Sequence, residues 1–111
     1  MTITGSIFPT AVIIKSFADG RLPFAKTILY SATKTCEVEV TYVNTALIPV
    51  EANLYILRVG SASRHLIPVG LRINPRSLTT CDEISMSAGD SIEGDASIAG
   101  VVDYTIEGIE G

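Results

Sequence analysis

The stretch Thr35-Cys36-Glu37-Val38-Glu39-Val40-Thr41-Tyr42-Val43-Asn44 decides the fold. Cys36, Val38, Val40 and Tyr42 fall at every second position, with Glu37, Glu39 and Thr41 between them. A period of two places the apolar set on one face of an extended strand and the polar set on the other. A helix would scatter both sets around its circumference. A strand with one wet face belongs to an antiparallel sheet covered on one side only.

The same reading extends in both directions. Lys26–Ser31 is a short strand candidate, followed by a turn at Ala32-Thr33-Lys34. Residues 52–59 (ANLYILRV) read as a strand apolar on both faces, nearer the centre of the assembly. Gly60 to Ser63 make a turn, and residues 65–69 return with Pro68 at an edge or bulge. Residues 71–73, 78–86, 91–97 and 101–109 supply further strands; in the last, Val102, Tyr104 and Ile106 alternate with Asp103, Thr105 and Glu107. No segment keeps a helical spacing of apolar residues beyond two turns.

Seven or eight short strands predict a single all-β domain over residues 26–111, an antiparallel β-sandwich of jelly-roll-like type. Residues 1–25 are interrupted by Gly5, Pro9, Gly20 and Pro23 and hold neither period, which reads as an N-terminal arm or an irregular first strand. That segment is too apolar for a solvated tail. Phe8, Ile13, Ile14 and Phe17 are therefore its candidate interface residues, laying it on its own domain or on a neighbour.

The 111 residues suffice for one core. A hydrophobic fraction of 47% against 18% charged residues is rich for so small a chain, and points to surface that partners cover. No apolar run reaches the roughly 18 to 20 residues that span a bilayer. The N-terminus lacks a basic region ahead of its apolar stretch, so it does not read as a signal peptide, and the chain is expected to stay where it is made. Charge is strongly segregated: residues 1–76 hold all eight basic side chains and four acidic ones, whereas residues 77–111 hold eight acids and no base. Such polarity can orient one copy against the next; the alternative is a solvated acidic face on the last strands.

Several groups bear on chemistry. Gly89-Asp90-Ser91-Ile92 is similar to the nucleophile block of GDSL-type esterases, but the only histidine, His65, precedes the serine and has Ala62 where an aspartate would stand. A serine without a positioned base is a poor nucleophile, so the block reads as a turn in which Gly89 supplies the backbone freedom and Asp90 bonds the local backbone. Asp90, Glu93 and Asp95 offer oxygen ligands to a cation such as Ca²⁺ yet lack the EF-hand spacing, and read as hairpin surface. Cys36 and Cys81 lie in strands of a chain without an export signal, which favours reduced thiols; a bridge between them is the alternative. Spread basic residues and an acidic isoelectric point disfavour nucleic-acid binding.

From Ala25 onward the order of motifs runs Leu29-Tyr30-Ser31, Tyr42-Val43-Asn44-Thr45, Leu54-Tyr55-Ile56, a leucine-rich strand, the block from Ile84 to Ile92, and Ile106-Glu107-Gly108-Ile109-Glu110. This order resembles small β-sandwich virion structural proteins of tailed bacteriophages. The resemblance implies a non-enzymatic capsid decoration or cement subunit. Such a subunit would associate with itself as a trimer or dimer, contact the major capsid protein and sit on the capsid surface after assembly in the host cytoplasm. A tail, baseplate or fibre-associated module is the alternative within that class. A carbohydrate-binding β-sandwich is the reading from another class, weakened by the absence of Trp. No catalytic residue, cofactor, metal, membrane or small-molecule substrate comes with the resemblance.

Overall fold

The computed structural model describes residues 14–110. Among them are nine strands: β1 Lys15–Arg21, β2 Thr27–Ser31, β3 Cys36–Asn44, β4 Val50–Leu57, β5 Arg64–His65, β6 Leu71–Ile73, β7 Leu78–Met86, β8 Ser91–Ala96 and β9 Val102–Glu110. They form two antiparallel sheets packed face to face. One has the order β1-β9-β3-β7; the other has the order β2-β8-β4-β5, with β6 lying beside β4 in line with β5.

The order has a simple origin. If β5 and β6 count as two halves of one strand, the chain is a long hairpin in which β4 meets β5 and β6, β3 meets β7, β2 meets β8 and β1 meets β9. Successive pairs alternate between the two sheets, which is a jelly roll. Nearly every connection therefore crosses from one sheet to the other, and the loops collect at the two ends of the sandwich.

Alternation in β3 carries through to burial: Cys36, Val38, Val40, Tyr42 and Asn44 are buried, with Glu37 exposed and Glu39, Thr41 and Val43 half-buried. The facing β4 contributes Val50, Ala52, Leu54 and Ile56 to the same core. Here the sequence reading needs correction. β4 is not apolar on both faces; it starts two residues early, right after Pro49, and its other parity is Glu51, Asn53, Tyr55 and Leu57. The expected strand 65–69 shrinks to Arg64–His65, because after Leu66 N–H donates to Leu54 the chain reaches Pro68, which has no N–H to continue the ladder. Within the segment read as an arm or irregular first strand, Lys15–Arg21 is an edge strand on β9, with a register shift between Ser16 and Ala18.

In the middle of β8, against Tyr42 of the facing sheet, sits Gly94. A Cβ there would overlap the Tyr42 hydroxyl and come within 2.9 Å of Leu29 Cδ1. That hydroxyl donates to the Asn53 carbonyl at 2.9 Å, and burial pushes its pKa up. Gly94→Ala therefore has to displace Tyr42 from a satisfied buried position. Overpacking of this kind costs about 2 kcal/mol; a lowered urea midpoint with unchanged slope is the expected result.

Candidate functional site

Asn44 ends β3 and is fully buried. Its amide nitrogen donates to the carbonyls of Ile48 at 2.9 Å and Ile73 at 3.0 Å, with a longer contact to Asn74 at 3.3 Å, while its side-chain oxygen accepts from Ala46 N–H at 2.9 Å. One side chain thus ties the β3–β4 loop to the β6–β7 turn. The β8–β9 loop is bound in turn: Thr45 N–H and Oγ1 both donate to the Val101 carbonyl, and Gly100 N–H donates to Leu22. Four connections are held together at this end of the sandwich.

Beside exposed Thr45, Asn74, Arg76 and Ser97, they hold large apolar side chains outward. Phe24 is 72% exposed, Leu47 75% and Leu78 62%, joined by Ile48 and Ile98. Single exposed apolar residues need no explanation, but five large ones carried on mutually bonded loops and a strand start form a surface suited to a partner. The sequence reading missed them because it took apolar residues as core or arm. The available signal was their position: Phe24 follows Pro23, and Leu47-Ile48 precedes Pro49, where strands do not run.

The opposite end is organised by Asp90. It is buried, and its carboxylate accepts from Ser87 N–H at 2.9 Å, Val59 N–H at 3.1 Å and Arg58 Nη1 at 3.0 Å. The two backbone N–H groups, aided by Arg58, hold its pKa below the usual aspartate range. Gly89, with φ at +94°, makes the turn before it. Gly89 and Asp90 thus make the turn that the sequence suggested, and Ser91-Ile92 open β8. Ser91 shares a 2.9 Å hydrogen bond with Ser31, whereas His65 pairs with Tyr55 on the far side of β4.

Glu93 and Asp95 are not a loop with Asp90 but outward positions of β8. Asp95 accepts from Asn53 and from the Tyr55 hydroxyl, both at 2.8 Å; Glu93 accepts from Ser63 and lies 3.8 Å from Lys26. All three acids are committed to separate protein partners. Among the described residues no three His, Cys, Asp or Glu side chains converge as metal ligands do. Tyr55 lies at the centre of this face, with Lys26 4.3 Å over its centroid and the His65 ring 4.6 Å away. Burial and the bond to Asp95 push its pKa up to about 12.

The candidate interface residues separate. Phe8 and Ile13 lie outside the described residues. Ile14 is 67% exposed. Phe17 is half-buried and stacks on Tyr30, with centroids 5.2 Å apart, so part of its ring is spent inside its own domain. The two cysteines are free: Cys36 stands opposite Met86 and Cys81 opposite Val40, four residues apart along β3. That is about 13 Å along a strand, well beyond the reach of a bridge. Compared with known proteins, the chain matches no protein-family model, no curated protein and no solved structure.

Proposed function

We propose that this chain is a non-enzymatic structural subunit that docks by its apolar loop end onto a larger assembly, and that the assembly is a phage virion with the capsid surface as the docking site. The observation that carries the docking role is the cluster of Phe24, Leu47, Ile48, Leu78 and Ile98, held outward by loops that Asn44 and Thr45 bind together. Each such side chain gains roughly 1.5–3 kcal/mol when it leaves water, so a preformed cluster favours a tight contact with little ordering cost. The virion and capsid terms rest on the resemblance in the order of strand motifs. A jelly roll is in keeping with them, since capsid domains use it, but lectins and cupins use it too.

The docking role is tested by the pair Phe24→Ser with Leu47→Ser, assayed by co-sedimentation with the particles that carry the protein. Both residues are exposed, so the melting temperature should stay within a few degrees while particle binding falls at least about a hundredfold. Undiminished binding would end the proposal. Copy number then separates the two positions within the virion: hundreds per particle indicate the capsid shell, and a few dozen or fewer the tail, baseplate or fibre. The part played by the N-terminal segment is read by removing residues 1–13, because a longer deletion would strip β1 from its sheet.

A further inference from the structure

The apolar end of the sandwich is also the end without acids. Its four connections, residues 22–26, 45–49, 74–77 and 97–101, contain no Asp or Glu, although the chain has 12 of them and a net charge of −4. They carry two cations, Lys26 and Arg76. Lys26 is turned away to the outer face of the second sheet, where its Nζ lies 3.8 Å from Glu93 and 4.3 Å over the Tyr55 ring. Charges at the strand ends beneath are matched: Arg21 lies 3.5 Å from Asp103, and Arg72 stands opposite Glu51 across β6 and β4. Arg76 is left over. It is exposed and makes no ion pair among the described residues, and residues 1–13 contain no acidic side chain to supply one.

The backbone singles out the same residue. Arg76 has φ at +58°, in the left-handed region that glycine enters freely and a side chain enters at a cost. Its turn holds it there from both sides: Pro75 precedes it with a fixed φ, Ser77 N–H donates to the Asn74 carbonyl at 3.1 Å, and Asn44 N–H donates to the Ser77 carbonyl at 2.9 Å. Strain kept at a residue whose charge is unmatched inside its own chain points to a use outside it.

We propose that Arg76 is the polar anchor of the docking end, and that the partner's surface offers it a carboxylate beside the apolar patch that receives Phe24, Leu47 and Leu78. The inference rests on the docking role proposed above and adds the chemistry of the partner. A carboxylate suits Arg76 because the planar guanidinium meets both of its oxygens at once. The turn is already fixed, so contact orders only the side chain. A charge pair at this point gives the apolar contact a register, which burial of Phe24 and Leu47 alone leaves open.

Co-sedimentation with particles stripped of the protein tests it. Arg76→Gly removes the guanidinium and relieves the backbone, so the melting temperature should hold or rise while binding falls at least about tenfold. Arg76→Glu should fall further, by about a hundredfold, and Arg76→Lys, which keeps the charge without the fork, should fall less than glycine. Wild-type binding should weaken between about 0.1 M and about 1 M salt, where the screening length falls from about 10 Å to about 3 Å, and that of Arg76→Gly should change little. Converting the surface carboxylates of the stripped particles to neutral amides should bring the wild type down to the level of Arg76→Gly and leave that variant unchanged. Particles so treated that still favour the wild type would overturn the carboxylate partner. Phe24→Ser with Leu47→Ser separates the two readings: normal binding by that pair fails the docking role and the anchor with it, whereas its loss beside normal binding of Arg76→Gly and Arg76→Glu overturns the anchor alone. Binding of the wild type, but not of Arg76→Gly, to protein-free phosphatidylglycerol vesicles would overturn it too, assigning Arg76 to lipid phosphates.

Discussion

Asn44→Ala should lower the unfolding free energy by about 3 kcal/mol. The side chain is fully buried and serves four backbone groups: the carbonyls of Ile48, Ile73 and Asn74, and the N–H of Ala46. Alanine leaves the Ile73 carbonyl without this partner in the core and the other three groups without it in partly buried positions, and each unpaired buried group costs about 1–3 kcal/mol. For a chain near 100 residues, 3 kcal/mol corresponds to a fall of roughly 12–24 °C in melting temperature. Asn44→Asp should be worse than alanine, because it preserves the acceptor for Ala46 but turns a second carboxylate oxygen toward three carbonyls that need a donor. Urea unfolding of the three proteins ranks them directly. A loss under about 1 kcal/mol in alanine would show that the loops are held by other contacts. Particle docking should weaken together with stability in these variants, in contrast to the surface pair Phe24→Ser with Leu47→Ser.

Asp90→Asn should cost about 2 kcal/mol at neutral pH and progressively less in acid. Ser87 N–H, Val59 N–H and Arg58 all donate to the ionised carboxylate, and Arg58 also donates to the Ser85 carbonyl. These contacts favour the charged form and depress the folded-state pKa. The unfolded chain takes up a proton near the ordinary aspartate value of about 4, while the folded chain still resists protonation. The stabilisation is therefore complete above that value and is lost as pH falls toward the folded pKa. Stability curves of wild type and Asp90→Asn should converge as pH falls below about 4. Parallel curves over that range would mean that Asp90 acts through shape and not through charge. Glu110, whose pKa is also lowered, chiefly by its hydrogen bond from Lys15, keeps its own acid sensitivity in both proteins.

The fold was legible wherever one face of a strand meets water. β3 and β9 announce themselves because Glu37, Glu39, Asp103, Thr105 and Glu107 interrupt their apolar residues at alternate positions. β6 and β7 keep the bounds that their residues suggest, Leu71–Ile73 and Leu78–Met86. Reading failed at β4, where Leu54, Tyr55, Ile56 and Leu57 run together and alternation cannot be seen, although Tyr55 and Leu57 point away from the core. The candidate sites were harder for a different reason. Asp90 and Asn44 look like ordinary turn and strand-end residues until the chain folds, because their partners lie as far away as Arg58 and Ile73. Likewise Glu39, Glu107 and the Asp82-Glu83 pair come opposite one another from three strands, which no local pattern encodes.

The jelly-roll order also sets when this protein can finish folding. β9 is made after every other strand of the sandwich, yet it lies between β1 and β3 and pairs with both along its length. Until it arrives, β1 has no neighbour in its sheet and one edge of β3 is bare, so half the wall over the core is missing. During synthesis the chain therefore waits as an open sandwich with unpaired strand edges, the state in which β proteins aggregate. The arrival of β9 joins β1 to β3 and sets Glu107 directly opposite Glu39.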